Sequence, residues 1–127
     1  IASTDVVTEP KEGFIVTILG DTKLCDASIA LSKNASVVVH EATFDSTTEQ
    51  LAASYGHSTN KEAALVAKQA SAKHLILTHI SARFMGDAVK ALVDEAKTIF
   101  PETFIAEDFA QFEWKTPHLL KLETTEE

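Results

Sequence analysis

A chain of 127 residues, 45% hydrophobic and 24% charged, is long enough for one compact domain with one core and has an ordinary globular composition. Its formal charge of −8 excludes a broad basic surface of the kind that grips nucleic acid, but leaves room for local recognition of phosphate by a metal or one or two cations. No apolar run approaches the roughly 18 residues of a membrane span, and the single cysteine, Cys25, cannot close an internal disulfide, which fits a reducing, cytoplasmic compartment.

The opening stretch, "IASTDVVTEPKEG", has apolar and β-branched residues and no initiator methionine, so it reads as the interior of a longer protein. The run Phe14–Leu19, "FIVTIL", predicts a buried strand stopped by Gly20, with Asp21 and Thr22 at its C-terminal tip. A helix is expected over Asp26–Lys33, with Asn34 as its stop. "SVVVHEATF" predicts a second buried strand from Ser36 to Val39 that delivers His40 and Glu41 at its end. Glu49–Ser54 reads as a short helix closed by Gly56. Thr59-Asn60-Lys61-Glu62 matches a capping box, and Ala63, Val66, Ala67 and Ala70 give the following helix one packing face.

A third strand, Leu75–Thr78, runs into His79, with Arg83 shortly after. Asp87–Phe100 is an amphipathic helix with Val89, Leu92, Val93 and Ala96 on one face, ended by Pro101. Phe104–Ala106 and Phe112–Trp114 are weaker strands, and the tail "KLETTEE" reads as frayed. The order predicts an α/β fold, buried strands covered by helices. In such sheets ligands gather beyond the carboxyl ends of the strands, and three successive strands here end in Asp21, His40-Glu41 and His79.

Each of these groups has an ordinary alternative. Asp21 after Gly20 can simply cap a helix or make a turn, and a lone strand-end histidine is more often hydrogen-bonded than metal-bound. Together at neighbouring strand tips, Asp21 and His79 make a shared zinc or manganese ion credible, since carboxylate oxygen and imidazole nitrogen suit both. His57, just before a capped helix start with the hydroxyls of Ser58 and Thr59, sits where an oxyanion or phosphate is favoured. Glu41 facing His57 would fix its tautomer and prepare a general acid. Arg83 could grip a phosphate or pair with a surface acid. His40 reads as structural, His74 and His118 as background, and Cys25 lacks the basic partner of a nucleophile. Two metal ligands are only half a site, because a catalytic metal needs three protein ligands and a bimetallic pair needs more.

Four segments in register, "LGDT" at 19–22, "HEATF" at 40–44, "HST" at 57–59 and "THISARF" at 78–84, resemble the C-terminal half of ribonuclease Z, the endonuclease that matures the 3′ end of transfer RNA. The likeness runs from about residue 13 to residue 112. It implies a metallo-β-lactamase fold, an α-β-β-α sandwich of two halves, with this chain a single C-terminal half-domain. It further implies a two-zinc site in which Asp21 bridges the metals and His79 ligates one. His57 would protonate the leaving 3′ oxygen with help from Glu41, and Ser58, Thr59 and Arg83 would lie near the scissile phosphate of precursor transfer RNA. The family's His-x-His-x-Asp-His signature is absent from these 127 residues, and with it the remaining ligands, so the chain alone is expected to be inactive. A sheet face left bare in that way would be covered in a homodimer. The alternatives are a hydrolase of small phosphodiesters or aryl esters on the same fold, and a non-catalytic assembly module.

Overall fold

Four short runs of aliphatic and β-branched residues build a parallel sheet whose strands lie in sequence order. The computed structural model describes residues 13–20, 22, 24–45, 52, 56–80, 84, 86–107 and 110–122. Strands β1 (Val16–Ile18), β2 (Val37–Glu41), β3 (His74–Thr78) and β4 (Thr103–Ile105) stand in the order β1-β2-β3-β4, each pair parallel. Helices α1 (Asp26–Leu31), α2 (Asn60–Gln69) and α3 (Asp87–Lys97) fall in the three crossovers, and an antiparallel hairpin follows, β5 (Phe112–Lys115) and β6 (His118–Lys121). Alternation along the strands sorts the core into two clusters. Val38, Leu75 and Leu77 pack with Ala63, Ala64 and Ala67 of α2 and Ala96 of α3. On the other face Val37 and Ile76 meet Leu119, with Phe104, Phe112 and Trp114 alongside. The run of alanines lets α2 lie close on the sheet, and each fully buried leucine contributes about 1.5–3 kcal/mol.

The expected elements are present with shifted ends, each for a local reason. β2 continues through His40 and Glu41 because both have partners on β3, Leu77 and Thr78. β1 is shorter than the apolar run, although Ile15 and Leu19 still exchange backbone bonds with Val37 and Val39. α1 ends at Leu31, and the turn after it closes on Asn34 at φ 59°, the left-handed conformation that a helix stop uses. α3 ends at Lys97, since the N–H groups of Ile99 and Phe100 both fold back onto the carbonyl of Ala96. The expected Glu49–Ser54 helix lies outside the described residues except for Ala52, which is helical. β6 is not marked by the sequence pattern. Its Leu119 is buried against the sheet, and its Lys121 belongs to the strand rather than to a frayed tail, while 123–127 lie outside the described residues.

The cover on the second face is incomplete. Val16 and Ile18 are 44% and 73% exposed, on the same side of the sheet as the covered Val37 and Val39. Phe14 and Ile15, leading into the strand, are also exposed.

Two polar devices hold the helix side. Thr59 Oγ1 accepts from the Glu62 N–H at 3.1 Å while Glu62 Oε1 accepts from the Thr59 N–H at 3.0 Å, completing the capping box at the start of α2. His40 is fully buried, and its Nδ1–H donates to the Glu41 carbonyl at 2.7 Å. That carbonyl lies one step beyond the last β1–β2 ladder bond among the described residues, from Leu19 N–H to the Val39 carbonyl, and the imidazole gives it a donor. Its Nε2 has no hydrogen-bond partner among the described residues. Burial pushes the His40 pKa down, opposed by its bond to the Glu41 carbonyl and by the nearby Glu41 and Glu62 charges.

Replacing Thr59 with Ala should cost about 1 kcal/mol of stability, read as a lower denaturant midpoint at unchanged slope. The His40 shift has a pH signature of definite sign. Below the ordinary imidazole range the unfolded chain takes up a proton that the folded state resists, so stability falls as pH drops through that range toward the depressed folded value. His40→Asn keeps a donor near the Nδ1 position and cannot titrate. Unfolding midpoints for the variant should therefore change less between neutral pH and about pH 5 than those of the parent chain.

Candidate functional site

Beyond the carboxyl end of β2, the side chain of Glu41 is almost wholly buried yet surrounded by donors. Its Oε1 accepts from the backbone N–H of Thr22 at 2.8 Å and of Ser58 at 3.2 Å. Its Oε2 accepts a short bond from the Thr43 hydroxyl. His57 Nδ1 lies 3.0 Å from both oxygens. Three separate segments thus converge on one carboxylate: the turn after β1, the residues after β2, and the approach to α2. A carboxylate cannot be left unsatisfied at such depth without a cost of several kcal/mol, so these bonds fix its place.

His57 is brought there by two local structures. Its N–H donates to the Ala52 carbonyl at 2.9 Å across Gly56, whose φ of 70° is readily available only without a Cβ. Downstream, Phe44 and Thr59 form an isolated parallel bridge, and the Asn60 N–H bonds the Phe44 carbonyl at 3.1 Å, clasping the "HST" segment to the end of β2. The ring is about one-fifth exposed, so one edge meets Glu41 while another reaches the surface. An ionised carboxylate only accepts, so Nδ1 carries the hydrogen and Nε2 is the ring atom available for proton transfer.

His79 follows β3 directly and adopts φ 53°, an uncommon backbone for a residue with a side chain, as the chain turns at the strand tip. Its ring lies 5.6 Å from that of His57, centroid to centroid. Its Nδ1 is 3.0 Å from the Thr43 hydroxyl oxygen and 3.8 Å from Glu41 Oε2. Glu41, His57 and His79 each offer a ligand atom, all within 4.8 Å of one another. Imidazole nitrogen and carboxylate oxygen both suit a borderline divalent cation, and since Glu41 and His57 are bonded to each other, the His79 imidazole is the group of the three that fits a metal.

The structure brings Glu41, His57 and His79 together, whereas Asp21 and Arg83 lie outside the described residues. Ser58 and Thr59, expected near the scissile phosphate, use their hydroxyls within the chain. Both residues are buried; the Ser58 hydroxyl donates to the Thr22 carbonyl, and Thr59 Oγ1 is engaged in the α2 cap. They shape the loop that presents His57. Thr43 and the Thr22 amide went unnoticed in the sequence, and only the position of Thr43 within "HEATF" could have pointed to it. His74 lies on the far face, packed edge-on against Trp114 at 5.3 Å. Cys25 is exposed, and hydrogen bonding by Ser28 pulls its thiol pKa down.

No family model matches the chain. Among individual proteins, ribonuclease Z of Geobacillus kaustophilus is 52% identical over 112 residues, 88% of this chain and 36% of that protein. Ribonuclease Z of Bacillus cereus is 53% identical over 108 residues, 85% of this chain and 35% of the relative. The chain therefore spans about a third of the length of these relatives. Among solved structures, the metallo-beta-lactamase fold protein YhfI from Bacillus subtilis superposes with a TM-score of 0.65 at 34% identity, over 72% of this chain and 36% of that one. Human tRNase Z, short form, gives 0.59 at 35% identity, over 76% of this chain and 32% of that one. Fold, motif order and identity agree: the chain belongs with ribonuclease Z, matching the C-terminal part of that metallo-β-lactamase-fold family.

Proposed function

We propose that the protein containing this chain is the endonuclease that removes the 3′ trailer from precursor transfer RNA. The observation that carries the reading is the His57–Glu41 pair, an imidazole about one-fifth exposed and held at Nδ1 by a buried carboxylate at 3.0 Å. In this reading Asp21 and His79 are metal ligands, His57 is the general acid, and Arg83 binds the phosphate backbone. Two zinc ions would supply positive charge at the scissile phosphate and an activated water. The chain's own residues handle the other half of the reaction. Glu41 fixes the ring's orientation through Nδ1–H, so that in the doubly protonated imidazolium Nε2 presents its proton to the departing 3′ oxygen and the ring left behind is the neutral Nδ1–H tautomer. Ser58 and Thr59 position that ring through the loop they stabilise.

The chain is also proposed to be one half of a two-halved sandwich. The bare side chains of Val16 and Ile18 support this, because an apolar sheet face of that kind is covered in a stable fold, by the complementary half or by a second copy. A cytoplasmic homodimer is the assembly this reading favours for the complete protein.

In the complete protein, His57→Ala should slow cleavage of precursor transfer RNA by about 10²–10⁴-fold while metal content stays at the wild-type level. Asp21→Ala should instead strip metal, as elemental analysis will read; unchanged turnover in the first variant rejects the acid role. The 127-residue chain by itself should show no cleavage even with added zinc, and cleavage at the rate of the complete protein would refute the half-site reading.

A further inference from the structure

The Thr43 hydroxyl sits between two groups to which the ribonuclease Z reading assigns different work. Its oxygen is bonded to Glu41 Oε2 on one side and lies 3.0 Å from His79 Nδ1 on the other. A hydroxyl has one hydrogen. Glu41, as a carboxylate, only accepts, so that hydrogen goes to Oε2. The contact with His79 must then run the other way, with Nδ1–H donating to the Thr43 oxygen. This fixes His79 as the Nδ1–H tautomer and makes Nε2 the ring atom that carries the lone pair a cation needs.

We infer that Thr43 is a positioning residue that sets the metal-ligating tautomer of His79 and ties it, through Glu41, to the acid His57. The chain of donors is continuous: His79 Nδ1–H to Thr43, Thr43 O–H to Glu41 Oε2, and His57 Nδ1–H to the same carboxylate. One buried carboxylate thereby orders both imidazoles through their Nδ1 atoms. The separation of 5.6 Å between the two rings is what this shared anchor produces. That network is built from described residues of this chain, whereas the ligating role of His79 rests on the function proposed above.

The test uses the complete protein and two variants, with zinc affinity measured by chelator competition. Thr43→Val preserves shape and removes the hydroxyl; it should weaken zinc binding by about 10- to 100-fold, as loss of a ligand's outer partner does. Thr43→Ser keeps the hydroxyl and should keep the wild-type affinity. Long-range proton–nitrogen spectra of the metal-free protein give a second readout. His79 should be Nδ1-protonated in the wild type and in the Thr43→Ser variant alike, and should lose that preference in Thr43→Val. Wild-type affinity in Thr43→Val, or an equal loss in Thr43→Ser, overturns the inference. A failure of the wild-type protein to cleave precursor transfer RNA would instead strike the functional reading, and leaves the affinity comparison to decide on Thr43.

Discussion

Everything distinctive about this site depends on keeping one carboxylate charged in the interior. Glu41 accepts from two backbone amides, a hydroxyl and an imidazole, and is nearly inaccessible. Desolvating a carboxylate is costly, and truncating one of its partners leaves the charge short of a donor, at a cost larger than an ordinary hydrogen bond contributes. The donors come from residues 22, 43, 57 and 58, so satisfying the charge closes three loops at once. Loop order and site order are therefore one property, and His57 is as well placed as the carboxylate that holds it.

The sheet makes that closure possible. Parallel strands joined through helices bring their carboxyl ends to one edge, and the ladder register sets Glu41 beside Thr78, one residue before His79. Beneath that edge, α2 packs alanines onto Val38, Leu75 and Leu77, while His40 finishes the β2 backbone with its own ring. Two of the uncommon conformations fall at this rim: Gly56 turns the chain into His57, and His79 itself bends away from β3. Strain of this kind persists where surrounding contacts over-determine it.

Much of this was legible in the chain. Apolar runs ending in His40-Glu41 and His79 mark strand tips because buried strands must surface where polar residues begin. The α2 cap was readable because its two bonds join residues three apart. What sequence withheld were directions set by tertiary contact. Ser58 and Thr59 look like phosphate ligands beside a helix start, yet one hydroxyl turns to Thr22 and the other to the cap. Thr43 looks like an ordinary strand-end residue until His79, 36 positions later, lies against it. β6 has weak alternation and forms because Leu119 finds Val37 and Ile76 across the sheet.

The two parts of the proposed mechanism differ in where their order comes from. The Glu41–His57 pair is assembled wholly from described residues of this chain, at the edge of a core that α2, α3 and the sheet complete among themselves. The cation-binding part has His79 on this edge, but its own demand for ligands exceeds what three clustered side chains supply when one of them, Glu41, is already saturated with donors. A cation drawing on Glu41 would have to displace the amide, hydroxyl or imidazole that fixes it. Hydrogen bonding thus reserves Glu41 for the acid, and a metal must be satisfied from other residues around His79. In the proposed mechanism that division gives the two neighbouring rings, His57 before α2 and His79 after β3, unlike tasks.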